Sequence, residues 1–226
     1  MTPKRLICLI FAGLFLASPA FARTDEDDQA WLNVTVIGNV GKLAYFAEIQ
    51  PRVGEDVSRM TQLLLRPAIG YQLSPTVTLY GGYAHVVLPI ENGPDRNEER
   101  LFSQLNWSLP KIAGGSMLLR TRLEHRRLSN GHDVGWRLRQ MIRFMHPLGN
   151  PKKVRALAHV EAFVAFDDTD WGAHKGFDQV RSFAGIEVPL PGRSTLDLGY
   201  LNQTINDPNN RIRINHVASA TFWIRP

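Results

Sequence analysis

Residues Leu118–Leu128 read LLRTRLEHRRL, with four arginines, a glutamate and a histidine in eleven residues. Successive side chains of a strand point to opposite faces. Arg120, Arg122, Glu124 and Arg126 therefore share one face, and Leu119, Thr121 and Leu123 share the other. Charge at every second position, with apolar side chains between, suits a strand that has hydrocarbon on one side and a polar interior on the other.

The same alternation runs through the chain. Arg137, Arg139 and Arg143 stand opposite Leu138, Ile142 and Phe144. His159 and Glu161 oppose Ala158, Val160, Ala162 and Val164, while Gln179, Arg181 and Glu187 oppose Val180, Ala184 and Ile186. Earlier, Glu48, Gln50 and Arg52 oppose Tyr45, Ala47 and Ile49, and Gln62 and Arg66 oppose Leu63, Leu65 and Ile69. A slip of one residue would turn each set to the wrong side. An arginine facing lipid at mid-membrane costs about 2–4 kcal/mol, so within a membrane these charges must face inward. There a planar guanidinium can pair bidentately with a carboxylate, and an unpaired buried charge is far costlier than a paired one. The predicted lumen-lining network is Glu48, Arg52, Arg66, Arg120, Arg122, Glu124, Arg126, Arg137, Arg139, Arg143, Glu161, Arg181 and Glu187.

Period two gives strands near 29–38, 42–52, 58–73, 76–88, 97–108, 116–128, 134–146, 154–166, 177–188, 194–204 and 212–224. No segment carries a helical stripe, and no repeat or linker divides the chain. The connections alternate in kind. NVGK (39–42), SP (74–75), LPKIAGG (109–115), PLGNPKK (147–153) and PLPGRS (189–194) are short, basic and rich in Pro and Gly. GEDVS (54–58), IENGPDRNEE (90–99), SNGHD (129–133), DDTDWGAHKG (167–176) and NDPNN (206–210) are more acidic and mostly longer. In an up-and-down meander every second turn lies at the same end, and short turns at one end with longer loops at the other is the habit of outer-membrane barrels. The fold predicted is all-β, an up-and-down antiparallel transmembrane barrel of about 10–12 strands. Eleven are counted, whereas bacterial single-chain barrels normally have an even number. The expectation is therefore ten or twelve, with the acidic start TDEDD (24–28) a candidate to enter the interior.

Lysine and aromatic placement agree with this fold. Past residue 22 the lysines are Lys42, Lys111, Lys152, Lys153 and Lys175, all in predicted connections. A sandwich in water would carry lysine on its wet face. On the apolar face Tyr45, Tyr71, Trp107, Phe144 and Trp223 fall near the short-turn end, and Tyr83, Trp136 and Phe166 toward the loop end. These predict two interfacial girdles. Ser219 and Thr221 fit less well, because they weaken the apolar face of the last strand. His125 and Arg127 point outward near the loop end, where long side chains can snorkel.

The opening MTPKRLICLIFAGLFLASPAFA has a positive start at Lys4 and Arg5, a short apolar run and a small-x-small Ala20-Phe21-Ala22 end. It predicts a secretory signal peptide over residues 1–22, cut before Arg23, and a barrel over 23–226. The run is shorter than the about 20 apolar residues of a spanning helix. Cys8, the single cysteine, leaves with the leader, so neither disulfides nor thiol chemistry is expected. Of 26 basic residues Lys4 and Arg5 also leave, which brings the balance to 24 against 21 acids. That mild surplus, without a basic helix or aromatic-basic cluster, argues against nucleic acid.

Glu48-x-Gln50-x-Arg52, LLLRPAIGY (63–71), Gly82-Tyr83, RTRLEHR (120–126), GWRLR (135–139), Glu161-x-Phe163, GFDQVR (176–181), GYLNQ (199–203) and His216, in this order, resemble the domain-of-unknown-function 2490 family. The resemblance spans nearly the whole chain after the leader. It implies a bacterial outer-membrane β-barrel and brings no activity, substrate or cofactor with it. Location in the outer membrane of a Gram-negative cell in turn implies contact with membrane lipid and lipopolysaccharide, and with the barrel-assembly machinery. That machinery usually reads a terminal aromatic residue. Here the sequence ends FWIRP, with Phe222 and Trp223 a few residues short.

Function stays open among several readings. Inward arginines would favour small anions in a narrow porin-like passage, as rings of arginine or lysine do in anion pores. The same residues, paired with the glutamates, could instead fill a structural barrel. An outer-membrane lipid-active hydrolase or acyltransferase would need a nucleophile beside a base. His85, His125, His132, His174 and Ser129 lie near the loop end without a motif to link them, so no catalytic residue is assigned. A soluble periplasmic ligand-binding β-barrel would reverse the two faces. With no His-x-x-x-His pair and only the acidic loop Asp167, Asp168 and Asp170 as a loose Ca²⁺ candidate, neither metal nor cofactor is expected.

Overall fold

The computed structural model describes residues 23–149, 153–208 and 211–226; the predicted leader and Lys152 lie outside them. The described residues form eleven strands and no helix. They are β1 (Arg23–Val40), β2 (Leu43–Gly54), β3 (Arg59–Ser74), β4 (Val77–Leu88), β5 (Arg96–Ile112) and β6 (Gly115–Leu128), followed by β7 (Val134–Pro147), β8 (Arg155–Ala165), β9 (Gly176–Pro189), β10 (Thr195–Asp207) and β11 (Arg211–Ile224). Their lengths run from 11 residues in β8 to 18 in β1, where globular strands usually have about five or six. Each strand pairs with its sequence neighbour, and β1 pairs with β11 to close the barrel. At the short turns Gly41, Gly114, Gly149 and Gly192 take φ of 60°, 79°, 78° and 76°, a region that costs other residues about 1–2 kcal/mol.

The even strand number expected is corrected to eleven. In an up-and-down path with an odd count, the first and last strands point the same way. Closure is accordingly parallel, in register from Arg23↔Arg211 to Val36↔Ile224, while the other neighbours pair antiparallel. The acidic start does not enter the interior as a plug. It extends β1 along β11, and Asp27 accepts a hydrogen bond from the Asp56 N–H at 2.9 Å at the tip of the β2–β3 turn. Lys111, expected in a connection, falls in the last turnward residues of β5.

The alternation read from LLRTRLEHRRL holds. Arg122 is 2% exposed and Glu124 1%, whereas Ile69 is 69% exposed and Leu101 59%. Polar side chains are buried and apolar ones face out around the wall. Two apolar clusters also sit inside. One joins Phe46, Tyr80 and Phe102, and the other joins Trp31, Leu157, Phe183, Leu201 and Val217. Cross-strand glycines make room for these rings. A Cβ on Gly82 would lie 2.3 Å from Phe102 Cζ.

One strand turns the opposite way from expectation. In β11, Asn215, Val217, Ser219, Thr221 and Trp223 face the interior, leaving Ile214, Ala218, Ala220, Phe222 and Ile224 outside. Trp223 is therefore no part of the girdle. Its half-buried indole N–H donates to Asp197 Oδ2 at 2.7 Å, which gives the inward ring an acceptor. The turn also removes the weak apolar face ascribed to Ser219 and Thr221.

Candidate functional site

The predicted charge network is brought together inside the barrel, each side chain held by a strand whose other face is apolar. Glu124 is its hub. It takes Arg137 Nη2 at 2.7 Å and Arg139 Nη1 at 2.8 Å, with Arg122 Nη1 at 3.7 Å. Glu161 takes Arg139 at 2.9 Å and Arg120 at 2.8 Å. Glu48 pairs with Arg66 at 2.9 Å. Arg143 reaches Asp197 at 3.0 Å and Glu187 at 3.4 Å, and Glu187 also holds Arg155. Arg126 pairs at 2.5 Å with Glu98, which Arg100 grips through two further bonds of 2.9 and 2.7 Å.

Glu98, Arg100, Arg155, Asp178 and Asp197 belong to this network and were not singled out by spacing. On β5 the charged face includes Phe102, and Glu99 stands on the outer face, so the alternation is blurred. Register across strands, which places Arg100 opposite Arg126 and Asp197 opposite Glu187, is the signal that identifies them.

Two of the predicted arginines have no carboxylate partner among the described residues. Arg52 donates to Gln62 and Gln50 at 2.6 and 2.8 Å and lies 3.8 Å over the Trp31 ring. Arg181 makes neither hydrogen bond nor ion pair among the described residues; its guanidinium lies 5.0 Å from the Trp31 ring and 4.8 Å from Phe163. The Nε atoms of Arg52, Arg66, Arg120 and Arg181 are buried without an acceptor among the described residues.

The interior is not solid. A cavity of about 330 Å³ lies toward the short turns and one of about 320 Å³ toward the loops. Arg52, Arg66, Arg139 and Arg181 line both, forming a plate of four guanidiniums where the two spaces meet. The loop between β8 and β9 folds over the outer space, which Trp171 and His174 help to line. That loop is tied to its neighbour. Asp170 accepts from the N–H groups of His132 and Asp133 at 2.8 and 3.2 Å, and its own N–H donates to Asp133 at 2.8 Å. The backbone N–H of His132, with that of Asp133, holds the Asp170 carboxyl below the usual range. Asp167 and Asp168 likewise accept from the N–H groups of Trp136 and Lys175.

Outside, Tyr71 is 52% and Trp107 46% exposed near the short turns, alongside the half-buried Tyr45 and Phe144. Trp136 is 42% exposed, Tyr83 40% and Phe166 44%. Tyr83 and His85 both bond to Glu99, and Tyr200 bonds to His216. Ser129 Oγ accepts from the Asn97 N–H, and His174 lies 3.5 Å from Asp168. Among the described residues no group of three or more His, Cys, Asp or Glu is placed to hold a metal ion.

Two comparisons place the chain among known proteins. The family model described as "Protein of unknown function (DUF2490)" matches residues 28–215. An uncharacterized protein of Methylorubrum extorquens is 43% identical over 222 residues, spanning 97% of this chain and 95% of that protein.

Proposed function

The chain belongs to the DUF2490 family of proteins of unknown function, and we propose that it is an outer-membrane β-barrel that passes small anions. The observation that carries the membrane location is the inverted burial, with guanidiniums inside and large apolar side chains exposed around the wall. Exposed apolar surface on this scale marks an interface with lipid or protein. Strands of 11 residues and more reach or pass the roughly 9–11 that a tilted membrane strand needs. Outward Arg127 at the loop end would meet lipopolysaccharide phosphate, and insertion would pass through the barrel-assembly machinery.

Anion passage is supported by the four-arginine plate between the cavities. Anions would exchange along Arg52 and Arg181 of that plate, which aromatic faces and amides hold, while carboxylates keep Arg66 and Arg139 in place. In this reading the barrel performs no chemistry on what passes. A second reading, a filled structural barrel, is favoured by the near-complete burial of Glu124 among three arginines.

Fractionation and conductance test both levels. Recovery in the outer-membrane fraction after export is expected, and recovery as a detergent-free periplasmic protein would overturn the location. In planar bilayers under a KCl gradient, a reversal potential on the chloride side is expected. Silence of well-folded protein would leave the filled barrel as the reading.

A further inference from the structure

The cavity on the short-turn side has two unlike walls. Trp31, Leu157, Phe183 and Leu201, members of one buried apolar cluster, form part of its lining. Gly199 leaves the wall bare beneath Phe183, since a Cβ there would lie 2.6 Å from the Phe183 Cζ. Among the other lining residues, neutral side chains accompany nine arginines and four carboxylates, so the charged part carries a surplus of guanidiniums.

Two of those arginines are held in an uncommon way. Trp31 and Phe163 offer ring faces to Arg181, and Trp31 also to Arg52. A ring face stabilises a guanidinium without using its in-plane N–H groups. Arg181 therefore keeps its donors, and Arg52 keeps a buried, unpartnered Nε. A bare inorganic anion would match the guanidiniums and leave the apolar wall uncovered. A neutral apolar molecule would match the wall alone.

We infer that this cavity binds a small amphipathic carboxylate, an aromatic or short-chain monoacid of about the size of benzoate. Its carboxylate would sit on Arg181 and Arg52, and its body against Phe183 and Leu201. The volume of about 330 Å³ lies at the small end of ligand pockets. The inference rests on the anion-passage reading in that solute must reach these arginines, and it names the class of anion that stays longest.

Calorimetric titration of the full barrel in detergent tests it, with sodium benzoate, acetate, inorganic phosphate and benzyl alcohol as separate probes. Saturable benzoate binding is expected, roughly tenfold or more tighter than acetate or phosphate, with no binding of benzyl alcohol. Arg181→Gln should weaken benzoate roughly 10–100-fold, and Arg127→Gln on the outer wall should leave it unchanged. Equal binding of benzoate and acetate, or competition by benzyl alcohol, overturns the site on native protein alone, whether or not the Arg181 variant folds. Chloride current without benzoate binding also removes the site while leaving passage intact. Benzoate binding without current supports the site and removes passage.

Discussion

Replacing Glu124 with glutamine tests whether the interior network carries stability. Glu124 is 1% exposed and gathers Arg137, Arg139 and Arg122. In Glu124→Gln, Arg137 keeps Asp178 at 3.1 Å and Arg139 keeps Glu161 at 2.9 Å. Among the described residues Arg122 keeps no carboxylate, but the Gln104 amide oxygen, to which its Nε donates at 2.7 Å, and the face of the Phe102 ring at 4.6 Å. Removing one partner of a buried pair costs about 3–5 kcal/mol. Glutamine retains one acceptor and two of the three arginines retain a carboxylate, so the low end applies, about 3 kcal/mol. Urea unfolding in lipid or detergent, followed by tryptophan fluorescence, measures it. Glu99→Gln is the control, because that carboxylate is 44% exposed on the outer wall and should matter by less than about 1 kcal/mol. Adding Arg122→Gln to Glu124→Gln removes the orphaned charge with its partner, so the double variant should lose less than the sum of the singles. A Glu124→Gln barrel within about 1 kcal/mol of native would refute the reasoning, for it would mean that water already hydrates these guanidiniums.

Three further outcomes are expected. Ile142, 41% exposed on the outer wall, should cost about 2–4 kcal/mol as Ile142→Arg in a bilayer; a change within about 0.5 kcal/mol in lipid unfolding assays would contradict hydrocarbon contact. Gly199→Ala would put a Cβ 2.3 Å from Ala184 O and 2.6 Å from Phe183 Cζ, and unfolding midpoints should show a loss of about 1–3 kcal/mol from overpacking. The Asp170 carboxyl titrates lower when folded than the roughly 3.9 of a free aspartate, so its stabilisation is complete above that value and is lost as pH falls through the folded one. Protection of the His132 and Asp133 amides against exchange, taken relative to an unstructured chain at the same pH, should fall only in that acid window; protection unchanged as the carboxyl is titrated would refute it, and Asp170→Asn should abolish the response.

Facing was legible in the sequence wherever charge occupies one side of a strand only. In β7 that condition holds, and in β6 it holds up to the outward Arg127 at the loop end, and every arginine and glutamate assigned inward on these two strands lies inside. It fails in β5, where Phe102 is buried among Arg100 and Gln104 and Glu99 stands outside with Tyr83 and His85. It fails again in β11, whose two faces, Asn-Val-Ser-Thr-Trp and Ile-His-Ala-Ala-Phe, differ little in polarity. There the deciding contact is the bond from Trp223 to Asp197, made between strands and so absent from any single-strand pattern. The period-two count of eleven matched the wall. The even number came from the habit of other barrels, whereas closure requires only that the edge strands hydrogen-bond, which parallel pairing satisfies. The gap between paired and unpaired arginines depends on distances across the lumen, and spacing along the chain does not encode them.

The parallel seam between β1 and β11 has a topographical consequence. A meander with an even number of strands returns both tails to one rim. Here the wall begins among the acidic loops, beside Arg211, and ends among the glycine turns, beside Val36. In a bilayer the two tails would answer to different compartments. An epitope placed ahead of Asp25 would be reached by antibody from the side the long loops face, and one placed after Ile224 only from the opposite side.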